Sequence, residues 1–501
     1  MDLLNHLALG FQTALSLHNL LYCFIGVLLG TAVGVLPGLG PLSTIAMLLP
    51  MTYALSPVSA LIMLAGIYYG AQYGGSITAI LVNMPGESSS VVTCLDGYQM
   101  ARRGRAGAAL AISALGSFFA GSVATVIIAG FAAPLTDLAT RFGSAEYVAL
   151  MVLGLVGAVV LAHGSLLKAL AMIVLGLLLG VVGTDVNSGT ARFSFDVPEL
   201  MDGFNFVVVA MGLFAFAEII RNLEQAEAGQ TVLQKVGSLW PTRAELREAF
   251  PAVLRGTCLG SLLGVLPGGG AVMSSFASYS LEKKVSRHPE AFGKGAICGV
   301  AGPESANNAG AQTSFIPMLT LGIPPNPVMA LMVGAMTIHS IQPGPQVMSA
   351  NPELFWGLIA SMWVGNGMLL VLNLPLIGVW IRMLSLPYRL LYPAILLCCV
   401  IGVYGMQNNV FDVMLILPFA LLGYLFHRLG CEPAPLLLGF ILGPMLEENL
   451  RRALRLSRGD PTVFLTRPIS LVLLLIAAGL LLAVLLPKVR DRREQVFVED
   501  D

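Results

Sequence analysis

Charge is what this sequence has least of. Of its 501 residues only 11% are Asp, Glu, Lys or Arg, 56% are hydrophobic, and the mean hydropathy is +0.81. Soluble domains carry roughly 25% charged residues, and no soluble fold hides this much apolar surface. The formal net charge of −1 leaves neither a basic field nor an acidic tail, so no nucleic-acid partner is expected. Seven cysteines form no CxxC pair and mostly lie in apolar runs, where a free thiol behaves as a small hydrophobe, so neither disulfides nor a metal is expected. The six histidines form no HExxH. There is no GxxxxGK[ST] loop to cradle ATP phosphates, which excludes the motor of an ATP-driven pump. Without a GxGD pair or a nucleophile elbow, an enzyme reading has no nucleophile, base or metal to offer. The first apolar stretch, residues 21–35, has no basic segment before it and no small-residue cleavage site after it, and reads as a retained helix.

What the sequence does have is long apolar runs. Residues 145–162, 203–220 and 469–486 each approach the roughly 20 apolar residues that span a hydrocarbon core, and such runs recur throughout. They are continuous, which excludes the alternating pattern of a membrane β-barrel. The expectation is an all-α polytopic membrane protein forming a single transport domain over residues 1–501, with about twelve spans. The last span, residues 468–487, is followed by Lys488, Arg490, Arg492 and Arg493, which places the C-terminus in the cytoplasm.

A pattern repeats within the chain. Gly34-Val35-Leu36-Pro37-Gly38-Leu39-Gly40 returns as Gly264-Val265-Leu266-Pro267-Gly268-Gly269-Gly270. Gly70-Ala71-Gln72 returns as Gly310-Ala311-Gln312, with Pro85 and Pro325 each thirteen residues after the Gln. Short cytoplasmic loops collect Lys and Arg. The connection around residues 50–57 has none, while its counterpart carries Lys283, Lys284, Arg287 and Lys294. After the second motif the bias reverses: Arg102, Arg103 and Arg105 in the first copy, none over 341–353 in the second. The two copies, residues 15–221 and 251–450, are therefore expected to be inverted, joined by a polar cytoplasmic linker at 222–250. Inverted repeats broken by Gly and Pro at matching positions point to a secondary transporter with a midplane site. A duplication in a membrane channel, or in a membrane-embedded enzyme without ion-coupled transport, is the alternative.

The breaks carry the candidate chemistry. Proline removes a backbone donor and glycine permits close approach, and in lipid such breaks survive only where they face protein or a water-filled cavity. The free N–H groups and dipole ends of broken helices can hold a carboxylate. This selects Pro37, Gly38 and Gly40 in the first copy and Pro267, Gly268 and Gly270 in the second. Around them, hydroxyls and amides lie inside apolar stretches: Ser76, Thr78, Asn83, Pro85 and Gly86, and then Asn307, Asn308, Gln312, Thr313, Ser314 and Pro325. Neutral polar groups at membrane depth suit an anion that must be released again. Fixed positive charge is absent here, so a co-transported cation, sodium or a proton, is the candidate countercharge, with Glu87 and Glu304 as candidate coupling groups. Each of these also has a packing reading: a helix kink, a hydroxyl bonded to its own backbone, or an acid at a loop-facing helix end.

The segments at 34–50, 68–87 and 299–325, with the GVLPGGG repeat, resemble the large membrane subunit of tripartite tricarboxylate transporters, the TctA type. The resemblance covers about residues 15–450. It implies a secondary transporter importing citrate-like or related small carboxylates across a bacterial inner membrane, driven by an ion gradient. It further implies two partners, a small membrane subunit of about four spans and a periplasmic solute-binding protein. The family's signatures fall on Gly34, Pro37, Gly38, Gly40, Pro41, Gly70, Gln72, Asn83, Pro85, Gly86 and Glu87, and on Gly264, Pro267, Gly268, Gly270, Pro303, Glu304, Asn307, Asn308, Gln312, Pro324 and Pro325.

Overall fold

A computed structural model describes residues 2–36, 39–139, 141–161, 165–185, 188–225, 236–266, 270–384 and 388–485. Among these the chain is almost wholly helical, as the long apolar runs require. The described sheet is a short antiparallel ribbon pairing Gly183 with Arg192 and Thr184 with Ala191. The first half contains α1 (Asp2–Ala14), α2 (Leu17–Gly34), α3 (Pro41–Leu48), α4 (Pro57–Val82), α5 (Val91–Thr93), α6 (Ala106–Ala139), α7 (Ser144–Leu161), α8 (Leu166–Gly180), α9 (Phe206–Ala210) and α10 (Ala217–Gln225). A helical path runs from Ser88 through α5 and two π-turns into α6, bent at Gly104, whose φ is 77°. The second half contains α11 (Arg243–Gly264), α12 (Gly270–Val285), α13 (Cys298–Thr313), α14 (Phe315–Leu321), α15 (Pro327–Ile338), α16 (Gln346–Ala350), α17 (Pro352–Asn373), α18 (Ile377–Leu384), α19 (Tyr388–Gln407), α20 (Val410–Arg428), α21 (Ala434–Leu456), α22 (Val463–Thr466) and α23 (Pro468–Leu485).

Among the described residues, four helices are long and apolar enough to cross a membrane unaided: Leu17–Gly34, Ala101–Phe131, Pro352–Asn373 and Val410–Arg428. Shorter apolar helices, including Leu166–Gly180 and Pro327–Ile338, accompany them. The polar segment between the halves is more helical than its composition suggests. Helix α10 continues to Gln225, and α11 begins at Arg243 under a capping box in which Thr242 and Glu245 satisfy each other's backbone N–H. Residues 226–235 of the expected linker lie outside the described residues, as do the basic residues beyond α23.

Glycines set the closest helix pairs. A β-carbon at Gly26, Gly30 or Gly34 of α2 would lie 2.3, 2.3 or 2.4 Å from the carbonyl oxygens of Met63, Ile67 and Ala71 on α4. In the second half, Gly256, Gly260 and Gly264 of α11 stand in the same relation to Gly302, Ala306 and Gly310 of α13, each at 2.3 Å. Small residues at helix spacing let backbones touch, the usual means of helix association where lipid offers no hydrophobic gradient.

These contacts also fix the register between the copies. Gly34 meets Ala71 and Gly264 meets Gly310, an offset of 239 (310 − 71) on the second helix rather than the 240 given by the Gly-Ala-Gln match. The helix ends agree: α4 stops at Asn83 (φ 57°, ψ 30°) and α14 at Gly322 (φ 74°, ψ 16°), both left-handed. Pro85 therefore corresponds to Pro324, and Glu87 to Asn326. Those last two share one backbone conformation, φ −147°, ψ 163° and φ −150°, ψ 168°.

The halves are tied together at one end by Asp96. Its buried carboxylate accepts from the backbone N–H of Gly295 (2.7 Å) and Ala296 (2.8 Å), just before α13, and from the Tyr279 hydroxyl (3.0 Å).

Candidate functional site

Two helix breaks in each half determine the site. In the first half α2 ends at Gly34 and α3 restarts at Pro41, with Gly40 extended (φ −71°, ψ 173°), while α4 ends at Val82 and the chain becomes helical again at Ser88. In the second half α12 starts at Gly270 and α15 at Pro327. The restarts abut in pairs. A β-carbon at Gly40 would lie 3.6 Å from Glu87 Cβ, and one at Gly270 would lie 3.4 Å from Asn326 Nδ2.

All four restarts open on one cavity of about 830 Å³, whose wall includes Gly40 to Ser43, Pro85 to Ser89, Gly270 to Met273 and Asn326 to Val328. The first N–H groups of a helix have no partner within it, and the aligned peptide dipoles leave partial positive charge there. Proline begins α3 and α15, where its missing N–H is no loss. Each half contributes one capped restart. Glu87 forms a capping box with Ser90, and Asn326 Oδ1 accepts from Met329 N–H at 3.0 Å. Tyr68 and Gln72 of α4 complete the inner wall, and neither amide atom of the fully buried Gln72 has a hydrogen-bond partner. Farther along, the lining reaches Glu218, Arg221 and His427, where Arg221 Nη2 lies 2.9 Å from Glu218 Oε1. Such a chamber has partial positive charge at its uncapped helix starts, α3 and α12, and carries Glu87, Glu218, Arg221, His427 and Glu432 as its ionisable lining groups, an arrangement that can take an anion at the helix starts. Among the described residues there is no cluster of three His, Cys, Asp or Glu able to hold a metal.

The model of the "Tripartite tricarboxylate transporter TctA family" matches residues 20–438, a span holding all four restarts. The chain belongs to the TctA family. It is a membrane component of a tripartite transport system, which works with a binding protein and a small membrane subunit, and it is not an enzyme. Among similar proteins, an "Uncharacterized 52.8 kDa protein in TAR-I ttuC' 3'region" of Agrobacterium vitis is 60% identical over 501 residues, 100% of both chains. An "Uncharacterized protein in TAR-II ttuC' 3'region" of the same organism is 63% identical over 242 residues, 48% of this chain and 100% of that one. No solved structure matches.

In this TctA-family chain the candidate residues read from the sequence fall into separate groups. Gly40, Pro85, Gly86, Glu87 and Gly270 line the cavity. Pro37, Gly38, Pro267 and Gly268 lie outside the described residues. The remaining polar candidates sit behind the cavity wall. Ser76 donates to Glu304 Oε2 at 2.6 Å, Thr78 to its own helix at Gly75 O, and Thr313 to Ala309 O. Asn308 Nδ2 reaches Ser117 Oγ at 2.7 Å, and Gln312 Oε1 accepts from Thr125 at 3.1 Å. Ser314 donates to Gly310 O and accepts from Asn326 Nδ2 at 3.0 Å, so it supports the break without lining it. Asn83 shapes the end of α4 through its backbone and leaves its side chain exposed, while Pro325 is buried off the lining. Asn307 links the groups, donating to Glu87 Oε1 at 3.1 Å.

Sequence reasoning passed over Asn326, Gln72 and the Glu218–Arg221 pair as wall residues. Asn326 takes the place of Glu87 only at the offset of 239 that the helix contacts fix, whereas the Gly-Ala-Gln match at 240 puts Pro327 there. Nothing local in the sequence separates Gln72 from other amides in the same stretch.

Proposed function

We propose that this chain is the translocating subunit of a secondary carboxylate transporter. The observation that carries this reading is the convergence of four helix restarts, two from each half of the repeat, on one cavity. Leu42, Ser43, Ala271 and Val272 occupy the first turns of α3 and α12, where N–H groups lack intrahelical acceptors. A small organic acid with two or three carboxylates can place one group on each pair of restarts. Each hydrogen bond to a charged group is worth roughly 1.5–3 kcal/mol, enough for binding and weak enough for release.

The two halves are inverted repeats in the inner membrane, with about twelve spans, and the substrate moves by alternating access between them. In this conformation the cavity reaches Glu218, Arg221 and His427, beside the segment that the Lys/Arg bias puts in the cytoplasm. Substrate comes from a periplasmic binding protein, a subunit of about four spans completes the membrane assembly, and sodium or a proton drives uptake, with Glu87 at the cavity wall and Glu304 behind it as the acidic groups to test. The test is equilibrium binding of radiolabelled citrate and smaller dicarboxylates to the purified chain. Wild type should bind and Gly40→Val, at a position whose φ of −71° any residue adopts, should bind at least about tenfold more weakly at equal folded abundance; equal binding by both overturns the reading.

A further inference from the structure

A second, much smaller cavity lies on the other face of α4. It has a volume of about 10 Å³, room for one water-sized body, and its polar wall consists of Tyr73, Ser76, Ser113 and Asn373. Two of these carry orphaned oxygens. Tyr73 Oη has no hydrogen-bond partner, and Asn373 Oδ1 has none because the amide is held by its other end, Nδ2 donating to Leu369 O at 2.8 Å. Both side chains are 4% exposed.

Behind the serines stands Glu304, 1% exposed. Ser76 Oγ and Ser113 Oγ donate to its Oε2, at 2.6 and 3.2 Å, and Thr93 Oγ1 donates to Oε1. Among the described residues no ion pair includes this carboxylate; its side-chain partners are hydroxyls. An isolated charge in an apolar interior is unfavourable by far more than a few hydroxyl bonds recover. The two serines that donate to Glu304 also line the cavity, Ser76 sharing its hydroxyl with Gln72 O at 3.1 Å, and Asn373 and Tyr73 add a third and a fourth oxygen. The result is a small pocket of hard oxygens beside one buried carboxyl group that no ion pair among the described residues holds, and that can carry its charge only with a cation next to it.

We propose that this pocket binds one dehydrated monovalent cation of sodium size, ligated by Tyr73, Ser76, Ser113 and Asn373 and neutralised by Glu304. A divalent ion would leave net positive charge in the apolar interior, and hard oxygen ligands suit an alkali cation. The site shares α4 with the large cavity, whose wall takes Tyr68 and Gln72 from the same helix. Occupancy of one cavity can therefore bias the other. The inference rests on the proposed transport function only in taking this ion as the coupling ion.

The experiment is thermal unfolding of the purified full-length chain, titrated with sodium chloride against choline chloride at constant ionic strength. Sodium should raise the unfolding temperature of wild type in a saturable way. Tyr73→Phe and Ser113→Ala, which each remove one oxygen, should raise the half-saturating sodium concentration about tenfold, and Glu304→Gln should abolish the effect, judged against each variant's own choline baseline. Ser361→Ala, whose hydroxyl bonds only to Leu358 O, should titrate like wild type. A pocket that holds only water gives no sodium-specific shift, or one unchanged in Tyr73→Phe and Ser113→Ala, and either result overturns the proposal. Uptake in vesicles separates the two ideas. Sodium-driven uptake with unshifted variants removes this site and keeps the transport reading; shifted variants in a chain without ion-driven uptake keep the site and remove that reading.

Discussion

Two glycines six residues apart in the first break should respond oppositely to the same substitution. A β-carbon on Gly34 would sit 2.4 Å from the Ala71 carbonyl oxygen and 2.6 Å from its Cα, with backbone on both sides and nothing flexible to yield. Gly34→Ala must part α2 from α4, and overpacking of this kind removes roughly 1–3 kcal/mol of stability. Gly40 is extended at φ −71°, an ordinary conformation for any residue, and its β-carbon would rest 3.6 Å from Glu87 Cβ, in normal van der Waals contact. Gly40→Ala should fold as wild type does. Gly40→Val should also fold, but its methyls would crowd the approach to the Leu42 and Ser43 N–H groups. Loss of one or two charge-assisted hydrogen bonds there, at roughly 1.5–3 kcal/mol each, weakens carboxylate binding by at least about tenfold. The assay pairs thermal unfolding of purified protein with equilibrium binding of labelled carboxylate. The reasoning is refuted if Gly34→Ala is as stable as wild type, or if Gly40→Val binds as tightly.

Other outcomes follow from the same geometry. Single cysteines at the exposed positions Ser56 and Gln346 should label from the periplasm, and those at Arg103 and Ser286 only from the cytoplasm; Gly104 and Gly344, at φ 77° and 128°, are unsuited to cysteine, and labelling of Ser56 and Ser286 from one side would exclude inversion. Asp96→Ala should lower thermal stability by roughly 1–3 kcal/mol, since it strips two half-buried backbone N–H groups and one hydroxyl of their acceptor, and an unchanged unfolding temperature would show that the tie is idle. Asn326→Leu should lose the Met329 cap and the Ser314 contact and weaken carboxylate binding, whereas Leu475→Ala, at a position 62% exposed on α23, should leave binding unchanged. Equal affinities in Asn326→Leu and wild type would remove the α15 restart from the site.

The class of fold was legible because it depends on bulk properties, apolar length and scarcity of charge, and the two Gly/Pro motifs marked the breaks because only those residues interrupt a helix so sharply. The register was legible to within one residue. The Gly-Ala-Gln match is a coincidence of letters beside the contact that sets spacing, Gly34 on Ala71 and Gly264 on Gly310. Which polar residues face the cavity was not legible, because helix rotation decides it. Gln72 and Ser76 are one turn apart on a helix buried on every side, so no apolar stripe indicates that one meets the cavity and the other Glu304. Asn308 and Gln312 looked like ligands for the same reason, yet tertiary packing turns them toward Ser117 and Thr125.

The most direct test of the central claim is concentrative uptake of labelled carboxylate into membrane vesicles carrying the chain with its small subunit and binding protein. Uptake should collapse when the sodium and proton gradients are dissipated, persist when ATP is depleted, and fall about tenfold or more in Gly40→Val at normal membrane abundance. Uptake that follows ATP, ignores ionophores, or proceeds undiminished in Gly40→Val would contradict a secondary transporter that holds its substrate at the broken helix ends.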